Sequence, residues 1–194
     1  DSEKPFFLYI CTSDPHRGGG TATELPHQPN RFGNPKPGSK GYPGIKEVIY
    51  DPAKDEMFYS EKGAGAWLND SKRLRVSGRH RMSEALFATG VPFGAKKTLP
   101  ATLKDLARLM PACSGVRRWG SAALDLAYVA AGRYDGYWER ELQIWDLAAG
   151  SLIALEAGAL VGGVREGQTP LDDGTILCAN GNIFDQFARI IREA

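Results

Sequence analysis

From Ile45 onward the hydrophobic and polar positions of the chain fall into regular periods. Glu47-Val48-Ile49-Tyr50 reads as a strand closed by Asp51-Pro52, and Glu56-Met57-Phe58-Tyr59-Ser60 as its hairpin partner. A turn at Gly63-Ala64-Gly65 leads to a short strand through Trp67-Leu68, Asn69-Asp70 turns again, and Leu74-Arg75-Val76 alternates. Ala85 to Thr89 is an apolar strand ended by Gly90. Thr102 to Met110 has Leu103, Leu106 and Leu109 at helical spacing, with Pro111 beyond its end. Val116 to Trp119 is a short strand. Ser121 to Ala131 is a helix capped by Ser121 and ended by Gly132. Tyr134 to Trp138 is strand-like, Trp145 to Ala157 is a third helix ended by Gly158, Thr175 to Ala179 is a buried strand, and Asn182 to Glu193 is a final amphipathic helix. Before residue 47 the only strand-like run is Phe6 to Ile10. Strands mixed with helices in this order predict a layered α/β or α+β domain.

Residues 13 to 46 break the pattern. Half of the twelve prolines lie there, with Gly18-Gly19-Gly20, and neither a helical nor a strand period survives that density of breakers. The chain therefore divides into an irregular part, residues 1–46, and a well-patterned part, residues 47–194. Its start at Asp1, with no initiator Met and no signal-peptide pattern, reads as a fragment or processed product.

Composition narrows the function classes. The 194 residues suffice for a sizeable core, and a net charge of +1 supplies no basic field for nucleic acid. No apolar run approaches the roughly 20 residues that span a bilayer. Cys11, Cys113 and Cys178 have neither metal-ligand nor disulfide spacing, which points to a reducing cytoplasm. Specificity must come from a local site.

The densest candidate region is Gly120 to Gly158. Gly120-Ser121-Ala122-Ala123 lies at a strand-to-helix junction, where helix N-terminal N–H groups favour an anion such as phosphate; Ser121 would serve equally as a plain N-cap. Asp146 falls at the start of the third helix. It would be either a cap or a hard oxygen ligand for Mg²⁺. Glu139 would accept hydrogen bonds from sugar hydroxyls or be a solvated charge at a strand end. His16, His27 and His80 have no shared-metal spacing, and Lys72, Arg73 and Arg75 read as an exposed face.

The order of these pieces is more specific than any one of them. Trp145-Asp146-Leu147-Ala148-Ala149-Gly150, then Glu156-Ala157-Gly158, with Gly120-Ser121-Ala122-Ala123 upstream and Glu139 between, resembles the inositol monophosphatase family. So do Ser121 to Gly132, Tyr50-Asp51-Pro52, Gly63 to Asp70, Leu74 to Ser77 and Thr89-Gly90-Val91-Pro92-Phe93, all in the family's order over residues 47 to 194. The resemblance implies an αβαβα sugar-phosphatase-like fold and Mg²⁺-dependent hydrolysis of a phosphate monoester of inositol or a related polyol or sugar, by metal-activated water. It maps a metal ligand onto Asp146, the substrate-side turn onto Gly120, Ser121 and Ala122, and a hydroxyl-binding glutamate onto Glu139. It further implies a cytoplasmic homodimer acting on a small phosphate ester.

The departures from the family pattern lie upstream. The family's Asp-Pro-Ile/Leu-Asp-Gly-Thr motif is matched only by Asp14-Pro15-His16-Arg17-Gly18, which keeps Asp14 as a candidate metal ligand but places Arg17 where a second carboxylate belongs. The family's Glu-Glu pair and N-terminal helices are expected to precede Asp1, which leaves one sheet face bare. Residues 16 to 46 match nothing in the family, a pattern expected of a reading-frame slip. The chain is thus expected to be an inositol-monophosphatase-like phosphatase. The alternatives are a histidinol-phosphate, fructose-bisphosphate or nucleotide-bisphosphate phosphatase of the same superfamily, for which Arg140-Glu141-Leu142-Gln143 would set the pocket, or a remnant that folds without turning over.

Overall fold

The structure, a computed structural model, describes residues 7–10, 47–69, 72–92 and 97–193. Two five-stranded sheets carry the strands. In the first, β1 (Phe7–Ile10) runs parallel to β2 (Glu47–Asp51), and β2, β3 (Glu56–Glu61), β4 (Gly65–Leu68) and β5 (Lys72–Arg73) continue as an antiparallel meander. In the second, the order is β7 (Gly115–Arg117), β6 (Leu86–Thr89), β8 (Gly136–Glu139), β10 (Ile176–Asn180) and β9 (Ala159–Gly162). There β6 lies parallel to both β7 and β8, and β10 antiparallel to β8 and β9.

Between the sheets lie α2 (Ala122–Ala130) and α3 (Ile144–Glu156). Every residue of α2 from Ala123 to Ala130 is buried, so this helix has no solvent stripe and needs apolar neighbours all round. It can approach α3 closely because position 150 is glycine. A Cβ there would come 2.6–2.7 Å from side-chain atoms of Leu126. Ile49, Phe58, Ala66 and Leu68 of the first sheet and Tyr137, Ile176 and Cys178 of the second complete this core from opposite sides. A second core, around Phe87, Trp138, Leu177 and Phe187, lies under α1 (Leu99–Leu109) and α5 (Phe184–Arg192) on the far side of the second sheet. The layers are sheet, helix pair, sheet, helix pair.

The helix ends follow local chemistry. Ser121 is extended (φ −139°) and its hydroxyl accepts from Leu124 N–H, capping α2; Gly132 and Gly158 follow α2 and α3 with φ of +68° and +93°. Several expectations shift. α1 begins at Leu99, three residues before the predicted start, with Pro100 in its first turn, where its missing N–H costs nothing. Leu103 is 53% exposed, and the buried side of α1 carries Thr102, Asp105 and Leu109. Leu74 to Val76 is not a strand; the pairing with β4 is made by Lys72 and Arg73. β9 and the one-turn helix α4 (Pro170–Asp173) had no sequence prediction. The outer face of the first sheet, expected to be bare, carries Val48, Tyr50 and Met57, and all three are buried.

Candidate active site

Glu139, Asp146 and the Gly120 turn each lie at the end of an element, and the Asp146 charge acts on Glu139. β8 ends at Glu139, α3 begins two residues before Asp146, and α2 begins just after Ser121. The parallel pairing of β6 with β8 sets Thr89 opposite Trp138, and the Thr89 hydroxyl donates to the Trp138 carbonyl at 2.7 Å. The next residue on that strand, Gly90, therefore lies against the Glu139 carboxyl, where any Cβ would overlap it. On the other side the Tyr137 hydroxyl donates to Glu139 Oε2.

Burial raises the Glu139 carboxyl to about 7, with the Asp146 charge adding to the rise; the Tyr137 hydrogen bond and the Arg118 charge act against it. Asp125, one turn into α2, is 1% exposed, and neither of its carboxyl oxygens has a hydrogen-bond partner among the described residues. Burial, then the neighbouring Glu139 charge, push Asp125 well above the usual carboxylate range. Tyr137 is raised likewise by burial, with Glu139, Asp125 and Asp146 adding to it. Glu139, Asp125 and Asp146 thus share one electrostatic neighbourhood with Arg118 as its cation. Burial and crowding of this kind favour the protonated forms of Glu139 and Asp125 until a cation or a hydrogen-bond donor arrives.

Asp146 is the third residue of α3. Its Oδ2 accepts from Gln143 N–H at 2.9 Å while the Gln143 side chain accepts from Asp146 N–H, a reciprocal cap. The plain capping role is therefore present, and it is made through Oδ2. Gly120, at φ +97°, makes the reversal that only glycine adopts without strain, and Ser121 and Ala122 open α2 directly after it. Asp14 lies outside the described residues.

Four contributors escaped the sequence reading. Sequence makes Gly90 a strand stop and Tyr137 part of a strand, and it includes Asp125 only within the Ser121 to Gly132 run. Arg140 read as a charged group facing the substrate. Instead its guanidinium forks onto Asp105 of α1 at 2.8 and 2.9 Å, and Asp105 is fully buried. Only the pairing of a buried acid with a distant arginine could have signalled this, and sequence separation hides it.

The sequence model of the inositol monophosphatase family matches residues 47–194. The chain belongs to the inositol monophosphatase family. An inositol-1-monophosphatase of Rhizobium meliloti is 45% identical over 148 residues, covering 76% of this chain and 55% of that protein. The Nus factor SuhB of Haemophilus influenzae is 42% identical over 145 residues, covering 75% and 54%. Among solved structures, the extragenic suppressor protein suhB from Bartonella henselae superposes with a TM-score of 0.72 at 44% identity, covering 76% of this chain and 57% of that one. The inositol monophosphatase from Anabaena superposes with a TM-score of 0.72 at 39% identity, covering 79% and 62%. The chain spans about half the length of the curated relatives it matches.

Family membership implies a metal, and the described residues meet that demand in part. Asp146 is a hard oxygen donor at a helix start. Among the described residues, however, no three His, Cys, Asp or Glu side chains gather closely enough to hold a metal ion. Nor is any helix among them long and apolar enough to cross a membrane.

Proposed function

We propose that this chain carries the substrate side of a Mg²⁺-dependent phosphatase acting on a monophosphate of inositol or a related neutral polyol. The observation that carries the proposal is the placement of Glu139, held between Gly90 and Tyr137 with its carboxyl at about 7 and within reach of the Asp146 charge. In this reading the turn of Gly120, Ser121 and Ala122 receives the phosphate with backbone N–H groups, aided by the α2 dipole. The Glu139 carboxylate accepts from a polyol hydroxyl. Binding of that donor favours the ionised carboxylate, so substrate and proton compete at Glu139. Bound Mg²⁺ supplies polarisation of phosphate and water in chemistry of this kind, and among the described residues Asp146 is proposed as its ligand. Asp14 is proposed as a second. Consumption of Arg140 by Asp105 supports a neutral polyol over a substrate carrying a second phosphate. The working form is proposed to be a cytoplasmic homodimer.

The test is phosphate release from a panel of esters, comprising inositol monophosphate, histidinol phosphate, fructose bisphosphate and a nucleotide bisphosphate, with Mg²⁺ varied. Inositol monophosphate is expected to be the best substrate. Asp146→Asn keeps an oxygen for the Gln143 N–H and so keeps the cap, yet it is expected to lose most Mg²⁺-dependent turnover. Near wild-type activity at saturating Mg²⁺ would refute Asp146 as a ligand.

A second reading, a module that binds without turnover, is favoured by the lack of a three-group metal cluster among the described residues and by relatives that carry the name Nus factor SuhB. Millimolar Mg²⁺ or Ca²⁺ separates the two. A rise in melting temperature with metal supports the phosphatase; no rise together with no phosphate release supports the binding module.

A further inference from the structure

Arg140 follows Glu139 directly, and the segment it opens is pinned on both sides. Its guanidinium donates two hydrogen bonds to Asp105, at 2.8 Å from Nε and 2.9 Å from Nη2. Leu142 is buried and its N–H donates to the Gly174 carbonyl at 2.8 Å. Between these anchors Glu141 sits at φ +61°, a left-handed conformation that is unfavourable for a non-glycine residue. A strained residue between two anchors keeps its geometry only while both hold.

A buried acid–arginine pair adds little net stability, because desolvating both charges offsets their attraction; breaking it by removing one partner is costly. Asp105 is fully buried on a helix that meets α5 through apolar packing and, at its exposed end, through the Arg108–Glu193 ion pair. Packing alone gives no reason for a carboxylate there. Its forked bond does fix where Arg140, and hence the main chain leaving Glu139, must lie.

We propose that Asp105 is a positioning residue for Glu139, acting through Arg140 to hold the end of β8 so that the carboxyl stays between Gly90 and Tyr137. The proposal rests on Glu139 being the polyol-binding group. Its mechanical core, that the α1 acid fixes the carboxyl's seat, can be read without turnover. Groups acting on that carboxyl are Tyr137 on its own strand, Asp146 of α3, Asp125 of α2 and Arg118 before the Gly120 turn. None is Asp105, but its loss also frees the Arg140 charge. The double variant Asp105→Asn with Arg140→Gln, which removes both charges, is therefore expected to move the Glu139 titration midpoint as Asp105→Asn does if position is the cause.

The experiment follows the Glu139 side chain in the full chain by ¹³C-carboxyl NMR, with no metal or substrate, its resonance assigned by its loss in Glu139→Gln. The wild-type midpoint is expected at about 7. In Asp105→Asn the freed segment lets water reach the carboxyl, and the midpoint is expected to fall by about one pH unit or more toward its ordinary value. Asp105→Glu, which can still reach Arg140, should restore much of the wild-type midpoint. Leu109→Ala, a cavity on the same helix, is the control: it lowers the melting temperature and leaves the midpoint in place. If Asp105→Asn does not fold, Arg140→Lys, which keeps the charge and loses the fork, is expected to move the midpoint in the same direction by less. An unchanged midpoint in the folded variant, or an equal shift in Leu109→Ala, overturns the proposal. A shifted midpoint in a protein that hydrolyses no ester overturns the phosphatase reading alone.

Discussion

At the scale of single residues, Glu139 is the group whose surroundings most constrain its chemistry. Its backing by Gly90 leaves no room for a methyl group. Gly90→Ala is expected to push the carboxyl off its seat and raise KM for the polyol monophosphate about tenfold or more, the worth of one hydrogen bond to a charged group. A steady-state comparison with wild type checks it, and an unchanged KM would remove Glu139 from the polyol end. The same carboxyl predicts a pH dependence of stability. Its folded value is about 7 against an ordinary 4.5. Folding therefore favours the protonated form, a contribution present in full below the ordinary value and lost as pH rises through 7. The loss amounts to about 3 kcal/mol at most. Melting temperature should decline between pH 5 and 8 in metal-free buffer, and Glu139→Gln should flatten that decline. An equally steep slope in the variant would assign the effect elsewhere.

At the scale of elements, the helices were largely legible, because their ends are written in capping chemistry. Ser121, Gly132 and Gly158 stop or start α2 and α3 close to where sequence places them. What sequence could not give was which side of α1 is buried. Leu103, Leu106 and Leu109 predict an apolar stripe, yet Leu103 is exposed and a carboxylate takes the inner position, since Asp105 has an arginine 35 residues away to satisfy it. β9 was missed because only Ala159 of its four residues is buried, so its apolar pattern is weak and its pairing with β10 defines it. The closeness of α2 and α3 gives a prediction at this scale. Gly150→Ala forces a methyl against Leu126 at 2.6–2.7 Å, too near for contact without a helix shift. A cost of about 1–3 kcal/mol is expected in chemical denaturation. Paired with Leu126→Ala, which clears the space, the double variant should recover part of that loss, and strict additivity would show that the two side chains do not meet.

At the scale of the whole molecule, the candidate site depends on two sheets keeping station on either side of the α2–α3 layer. The order of short motifs over residues 47–194 made the fold legible as a family resemblance, whereas the seat of Glu139 was not, because it is assembled from β6, β8 and α1. The first sheet is tied to α2 by a polar bracket. Tyr128 donates to buried Asp51 at 2.7 Å, and Arg133, just beyond α2, forks onto Glu56 of β3 at 2.6 Å twice while stacking over the Tyr128 ring. Burial and Asp51 both raise the Tyr128 hydroxyl, so it remains a donor across the ordinary pH range. Tyr128→Phe keeps the ring and its stacking but leaves one Asp51 oxygen without this donor inside the protein, with Lys54 at 3.8 Å as the remaining cation. The expected loss is about 1–3 kcal/mol. Its distribution is the sharper outcome. Since the bracket's hydrogen bonds join the first sheet to α2, amide exchange in β2 to β4 should quicken more than in β8 and β10. If all strands quicken alike, the two sheets open as one unit, and the bracket serves global stability instead of holding the first sheet in place.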